Sequence, residues 1–219
     1  MQCAARKPGC AGFVLAGGRS SRMGTDKALV ELAGRPLIAC ALDVLRAAGA
    51  RAAIAGAHSD LSAFAPVVTD AQPDRGPLGG VCAALEECET ECAVFVSVDM
   101  PLMPSALIAY LMEHAAITGH TVTLAAVNGF AQTFPVVIRR EALATLRAEL
   151  TAGRGGTFAA LQAAAQARGE AMTVLPVELL VQSGHVAHPR GMPPARWFLN
   201  VNTRKEMARA SAYLAAAIA

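Results

Sequence analysis

Residues 12–27 read GFVLAGGRSSRMGTDK, and this stretch decides how the rest of the chain is read. Gly12–Phe13–Val14–Leu15–Ala16 has the length and bulk of a buried strand, predicted over 12–16. The strand opens into a loop where Gly17, Gly18 and Gly24 are interspersed with Arg19, Arg22 and two serines, and Lys27 follows. Glycine lets a ligand come close to main-chain N–H groups. Successive N–H donors form a concave nest suited to phosphate, and cationic side chains add full charge. A strand running into such a loop predicts a polyphosphate site. Two familiar phosphate loops do not fit. Thr25 and Asp26 separate Gly24 from Lys27, unlike a Walker loop, and adjacent Gly17 and Gly18 break the G-x-G-x-x-G spacing.

Outward from this point, apolar runs predict strands at 52–56, 66–69, 93–98, 121–127, 134–138 and 172–176. Helical patterns fall at 36–48, 78–88, 104–115, 140–150, 156–167 and 204–218. The run Ala93–Val98 is apolar apart from Ser97 and lacks period-two alternation, as expected of a strand covered on both faces. Strand–helix alternation predicts the α/β class: one three-layer α/β/α domain with a mostly parallel sheet. The domain is expected to span 12–219, with 1–11 as a flexible N-terminal tail and Ser183–Ala195 as the one long irregular stretch.

The chain has 219 residues, 54% of them hydrophobic, enough for one substantial core burying roughly 70% of the unfolded surface. A net charge of +2 gives no reason to expect a nucleic-acid partner. No apolar run approaches 18 residues, so no membrane partner is expected. The opening MQCAARKPGCAG lacks an apolar segment behind its basic residues, which argues against a signal peptide and for a cytoplasmic protein. None of the six cysteines forms a C-x-x-C pair, so reduced thiols are expected. Cys82 and Cys88 read as small buried hydrophobes on a helix, and Cys3 and Cys10 receive no role.

Three further segments carry chemistry. In Val96–Ser97–Val98–Asp99–Met100–Pro101 a buried strand ends directly on an aspartate, which in an open α/β sheet faces the crevice beyond the strand ends. A lone carboxylate there suits Mg²⁺, which takes one or two protein oxygens beside substrate phosphates, though a turn or helix-capping role is the competing reading. In Asp74–Arg75–Gly76–Pro77–Leu78–Gly79–Gly80 the two last glycines fall in the first turn of a predicted helix, where side chains would crowd a base or ribose. In Phe198–Leu199–Asn200–Val201–Asn202–Thr203 two asparagines point the same way from an extended segment, and Thr203 with Glu206 forms a capping box. His185 and His188 form an H-x-x-H pair that lacks a third ligand and reads as surface histidines.

Together LAGGRSSRMGTDKALVELAGRPLI (Leu15–Ile38), DRGPLGG (Asp74–Gly80), VSVDMPLMP (Val96–Pro104) and FLNVNTRKEM (Phe198–Met207) resemble the molybdenum cofactor guanylyltransferases. These belong to the nucleotidyltransferases built on a single Rossmann-like α/β domain. The resemblance implies transfer of GMP from GTP to the phosphate of molybdopterin, with pyrophosphate released. It also implies transient contact with molybdenum-insertion or molybdoenzyme partners. It assigns Lys27, Arg22 and Asp99 to catalysis, with Mg²⁺ on Asp99. Leu15, Ala16, Gly17, Gly18, Arg19, Lys27, Asp74, Gly79 and Asp99 would contact GTP, and Asn200 and Asn202 would lie on the molybdopterin side. The LAGG form goes with guanine enzymes in that family, whereas cytosine-using relatives carry LAAG. Use of CTP, or of a sugar phosphate or other small phosphorylated acceptor, is the alternative, since the loop and Asp99 are shared across the group. One departure stands out: a family asparagine after the second strand is replaced by Ala55–Gly56–Ala57–His58.

Overall fold

In the computed structural model, which describes residues 7–16, 26–56, 61–69, 75–153 and 156–216, the first strand is the pivot of the sheet. Strand β1 (Lys7–Leu15) is followed by a hairpin of β2 (Glu31–Leu32) and β3 (Arg35–Pro36), then helix α1 (Leu37–Ala47) and β4 (Arg51–Ala55). Next come β5 (Val67–Val68), α2 (Gly76–Glu87), β6 (Thr90–Ser97), α3 (Ser105–Thr118), β7 (Val122–Val127) and β8 (Phe130–Arg139). The chain continues through α4 (Leu143–Ala152), α5 (Thr157–Gln166), β9 (Thr173–Pro176), α6 (Val177–Gln182), α7 (Pro194–Trp197) and α8 (Arg204–Ala216). The seven-stranded sheet has the order β5-β4-β1-β6-β8-β7-β9, and within it β8 alone runs antiparallel to its neighbours.

The pleat divides the core into two. Val14, Val94, Val96 and Val137 pack with α1, α3, Trp197 and α8 on one face. Phe13, Leu15, Ala93 and Phe95 pack with α2, α4 and α5 on the other, where the Phe13 and Phe95 rings stack 5.5 Å apart. Both faces of β6 are therefore covered, as its unbroken apolar run requires. Gly12 is where α1 comes nearest to β1. A Cβ there would lie 2.9 Å from Ala50 Cβ and 3.1 Å from Leu45 Cδ2. Gly12→Val is expected to cost about 2–3 kcal/mol through overpacking, read by urea unfolding.

Several elements differ from expectation. Strand β1 starts at Lys7, so residues 7–11 of the expected tail lie in the sheet, with Cys10 in register with Cys92. Helix α2 begins two residues earlier than predicted. The β7–β8 connection is a two-residue turn with Asn128 at φ +52 and Gly129 at φ +79, the left-handed pair a type I′ hairpin needs. Ala33 and Gly34 do the same for β2–β3. The stretch from Ser183 stays irregular until α7, anchored by buried Val186 and by Trp197 Nε1 donating to the Met192 carbonyl at 2.8 Å. Cys82 and Cys88 are buried as expected, although α2 ends at Glu87 and leaves Cys88 as its extended C-cap. Among the described residues no helix is long and apolar enough to cross a membrane.

Candidate active site at the strand switch point

Strand β1 pairs with β4 on one side and β6 on the other, so the carboxyl ends of β1 and β6 flank the point where the strand order reverses. Leu15 is level with Ser97, and Val98 N donates to the Leu15 carbonyl at 3.2 Å. The chain after Ala16 and the carboxylate after Val98 thus emerge from neighbouring strand ends. Lys27 returns to this point on a single 3₁₀ turn, Lys27–Leu29, capped by Asp26, whose side chain accepts from Ala28 N at 3.0 Å. Fully buried Ala28 fixes the turn against the core.

There Lys27 Nζ donates to Asp99 Oδ2 at 2.7 Å, across 72 positions of sequence. Both side chains are largely shielded, with 17% and 19% relative exposure, which makes this pair stronger than a fully solvated one. The other Asp99 oxygen, Oδ1, accepts from Ser97 Oγ at 2.5 Å, in the range of a charge-assisted hydrogen bond. Lys27 also donates to Asn202 Oδ1. The C-terminal segment is brought in by Val201 N, which donates to the Asp99 carbonyl at 2.9 Å. It is held by the expected capping box: Glu206 N donates to Thr203 Oγ1, and the Glu206 carboxylate accepts from Asn202 N at 2.8 Å. The hydrogen bonds from Asn202 N and from the Thr203 hydroxyl keep that carboxyl below its usual range.

The predicted site residues thus divide. Lys27 bonds both Asp99 and Asn202, while Asn200 is exposed. Leu15 and Ala16 are buried, and their main-chain groups are engaged by the sheet: Leu15 O accepts from Val98 N, and Ala16 N donates to Ala55 O. Gly79 is buried in α2. The next glycine, Gly80, has a reason in packing. A Cβ there would come within 3.3 Å of Leu15 Cδ2, so it lets α2 close on β1. Gly17, Gly18, Arg19, Arg22, Asp74, Ala57 and His58 lie outside the described residues. Ser97 is the residue that sequence reasoning missed; the break it makes in an apolar run was its only signal.

The two loop histidines part company: His185 is exposed, as expected, whereas His188 is half-buried. His185 pairs with Ser183 Oγ at 2.7 Å, while the His188 ring lies 6.0 Å from that of Trp197 and accepts from Arg190 N. Burial holds the His188 pKa below its ordinary value, so the folded chain binds that proton more weakly than the unfolded chain. As pH falls through about 6.5 the unfolded state is protonated first, and stability is lost. His188→Gln is expected to flatten the melting temperature between pH 7 and 5.5, measured by circular dichroism.

Residues 12–170 match the family model described as the MobA-like NTP transferase domain. The chain belongs to this family. It is 44% identical over 103 residues to a molybdenum cofactor guanylyltransferase of Xanthomonas euvesicatoria, covering 46% of this chain and 52% of that protein. A Cupriavidus taiwanensis protein of the same name is 37% identical over 153 residues, covering 65% and 76%. The match thus spans about half the length of the first of these relatives. The solved structure of molybdopterin-guanine dinucleotide biosynthesis protein A from Archaeoglobus fulgidus superposes with a TM-score of 0.74 at 19% identity, covering 94% of this chain and 99% of that one, a likeness of fold. The MobA-like domain ends at residue 170, so Asn200 and Asn202 lie beyond the match.

Proposed function

We propose that this MobA-like domain transfers GMP from GTP to the phosphate of molybdopterin, forming molybdopterin guanine dinucleotide and pyrophosphate. The observation that carries the reading is the Lys27–Asp99 pair, set at 2.7 Å where β1 and β6 end. In the reaction an acceptor phosphate oxygen attacks the α-phosphorus of GTP, and the bond from that phosphorus to the bridging oxygen of pyrophosphate breaks. Negative charge grows on the departing group, so the protein's task is positioning and charge neutralisation. Lys27 supplies an ammonium on a short rigid turn beside the α-phosphate. Gly17, Gly18, Arg19 and Arg22 are assigned to the β- and γ-phosphates by their sequence, and Asp74 to the nucleoside. Asn200 and Asn202 are assigned to the molybdopterin side by the family resemblance, and the Lys27–Asn202 hydrogen bond supports that assignment for Asn202. No protein base is needed, because a phosphate nucleophile is already anionic at neutral pH.

Asp99 is the residue that would hold Mg²⁺. Its carboxylate oxygens are hard anionic donors of the type this ion accepts. When bound, the ion neutralises phosphate charge. The test supplies the purified chain with GTP or CTP, and with molybdopterin or a sugar phosphate, and follows pyrophosphate and product mass. The expected product is the guanine dinucleotide of molybdopterin, with CTP at least ~10-fold poorer, a discrimination of about 1.4 kcal/mol. Turnover of a sugar phosphate in preference to molybdopterin would overturn the acceptor.

A further inference from the structure

We infer that Ser97 is a positioning residue that makes Asp99 a one-oxygen metal ligand and so sets discrimination between Mg²⁺ and Ca²⁺; this rests on Asp99 being the metal carboxylate. Ser97 is the last residue of β6, fixed by its register with Leu15, and its carbonyl accepts from Met100 N at 3.3 Å in the turn that presents Asp99. Its hydroxyl is therefore placed by the sheet and not by a loop. The bond to Oδ1 joins side chains two residues apart and is partly buried, so it holds the carboxylate against rotation. Among the described residues Oδ2 meets the three-donor ammonium of Lys27, whose long stem lets it move toward phosphate. One oxygen is thus committed and the other exchangeable.

That asymmetry matters because the two ions differ in what they ask of a carboxylate. Mg²⁺ demands near-octahedral geometry at short distance, whereas Ca²⁺ accepts looser shells and takes carboxylates through both oxygens. A carboxylate with Oδ1 engaged by Ser97 favours the first mode and penalises the second. Removing the hydroxyl frees Oδ1, and the penalty on Ca²⁺ disappears. Turn formation alone would not predict this, because every main-chain bond of the turn survives the substitution.

The experiment reads Mn²⁺ bound to the protein–GTP complex by electron paramagnetic resonance, displaced by added Mg²⁺ or Ca²⁺, with GTP alone as reference. Ser97→Ala should narrow the Mg²⁺-over-Ca²⁺ preference about tenfold, the scale of one hydrogen bond to a charged group. Ser97→Thr should keep the wild-type preference, and Ser97→Cys, nearly isosteric but a weak donor, should follow Ala if Ala fails to fold. A wild-type ratio in Ser97→Ala or Ser97→Cys overturns the inference while leaving Asp99 as ligand. Asp99→Asn should reduce displacement to that of GTP alone. If it retains wild-type Mn²⁺ binding, the metal role of Asp99 fails, and the role of Ser97 with it.

Discussion

Asp99→Asn is expected to slow dinucleotide formation by at least ~10²-fold, a loss of about 2.7 kcal/mol of transition-state stabilisation. Asparagine keeps the size and the main chain, so Val201 N still donates to the residue 99 carbonyl and the C-terminal segment stays docked. What goes is the charge that balances Lys27 and, on the proposed reading, would offer Mg²⁺ a hard anionic oxygen. Because the amide oxygen can still accept from Lys27 and the amide NH₂ can donate to Ser97 Oγ, the stability cost should be small, about 1 kcal/mol, and the melting temperature should move by no more than about 4 °C. Loss of turnover with an intact melting curve separates chemistry from folding. A variant that turns over at near wild-type rate removes Asp99 from the reaction.

Lys27→Met should lose a similar factor, and the loss should fall on kcat more than on KM. On the proposed reading the basic loop would hold the β- and γ-phosphates in the ground state, whereas Lys27 would meet charge that grows as the α-phosphorus bond breaks. Arginine is not expected to rescue it. The 3₁₀ turn aims a compact ammonium at Asp99 Oδ2 and Asn202 Oδ1 together, and a planar guanidinium on a longer stem cannot reproduce that convergence. In the double variant Asp99→Asn, Lys27→Met the effects should add to much less than their sum, because each residue acts through the other. Full additivity, or rescue by arginine above ~10% of wild-type kcat, would show that Lys27 is only a general attractor of phosphate.

The α/β architecture was readable because its signals are local. Apolar runs such as Ala93–Val98 report burial on two faces, and the alternation of such runs with helical patterns leaves few ways to cover a sheet. Asn128–Gly129, on which the mostly parallel expectation did not draw, makes the β7–β8 hairpin that turns one strand antiparallel. The start of β1 was harder to read. Lys7–Ala11 looks like a tail because its strand character comes from ladder partners in β6 and β4, not from apolar side chains. Likewise Gly80 suggests ligand space in the sequence and turns out to serve helix–strand approach.

The residues of this chain alone determined that a basic glycine loop follows a buried strand and that an aspartate ends another, since residue types and short spacings carry that information. Only the tertiary structure decided that Lys27, Asp99, Asn202 and Ser97 form one set of contacts. Contacts across 72 and 175 positions depend on which strands lie side by side, and sheet order is a property of the packed whole that no local window of sequence contains.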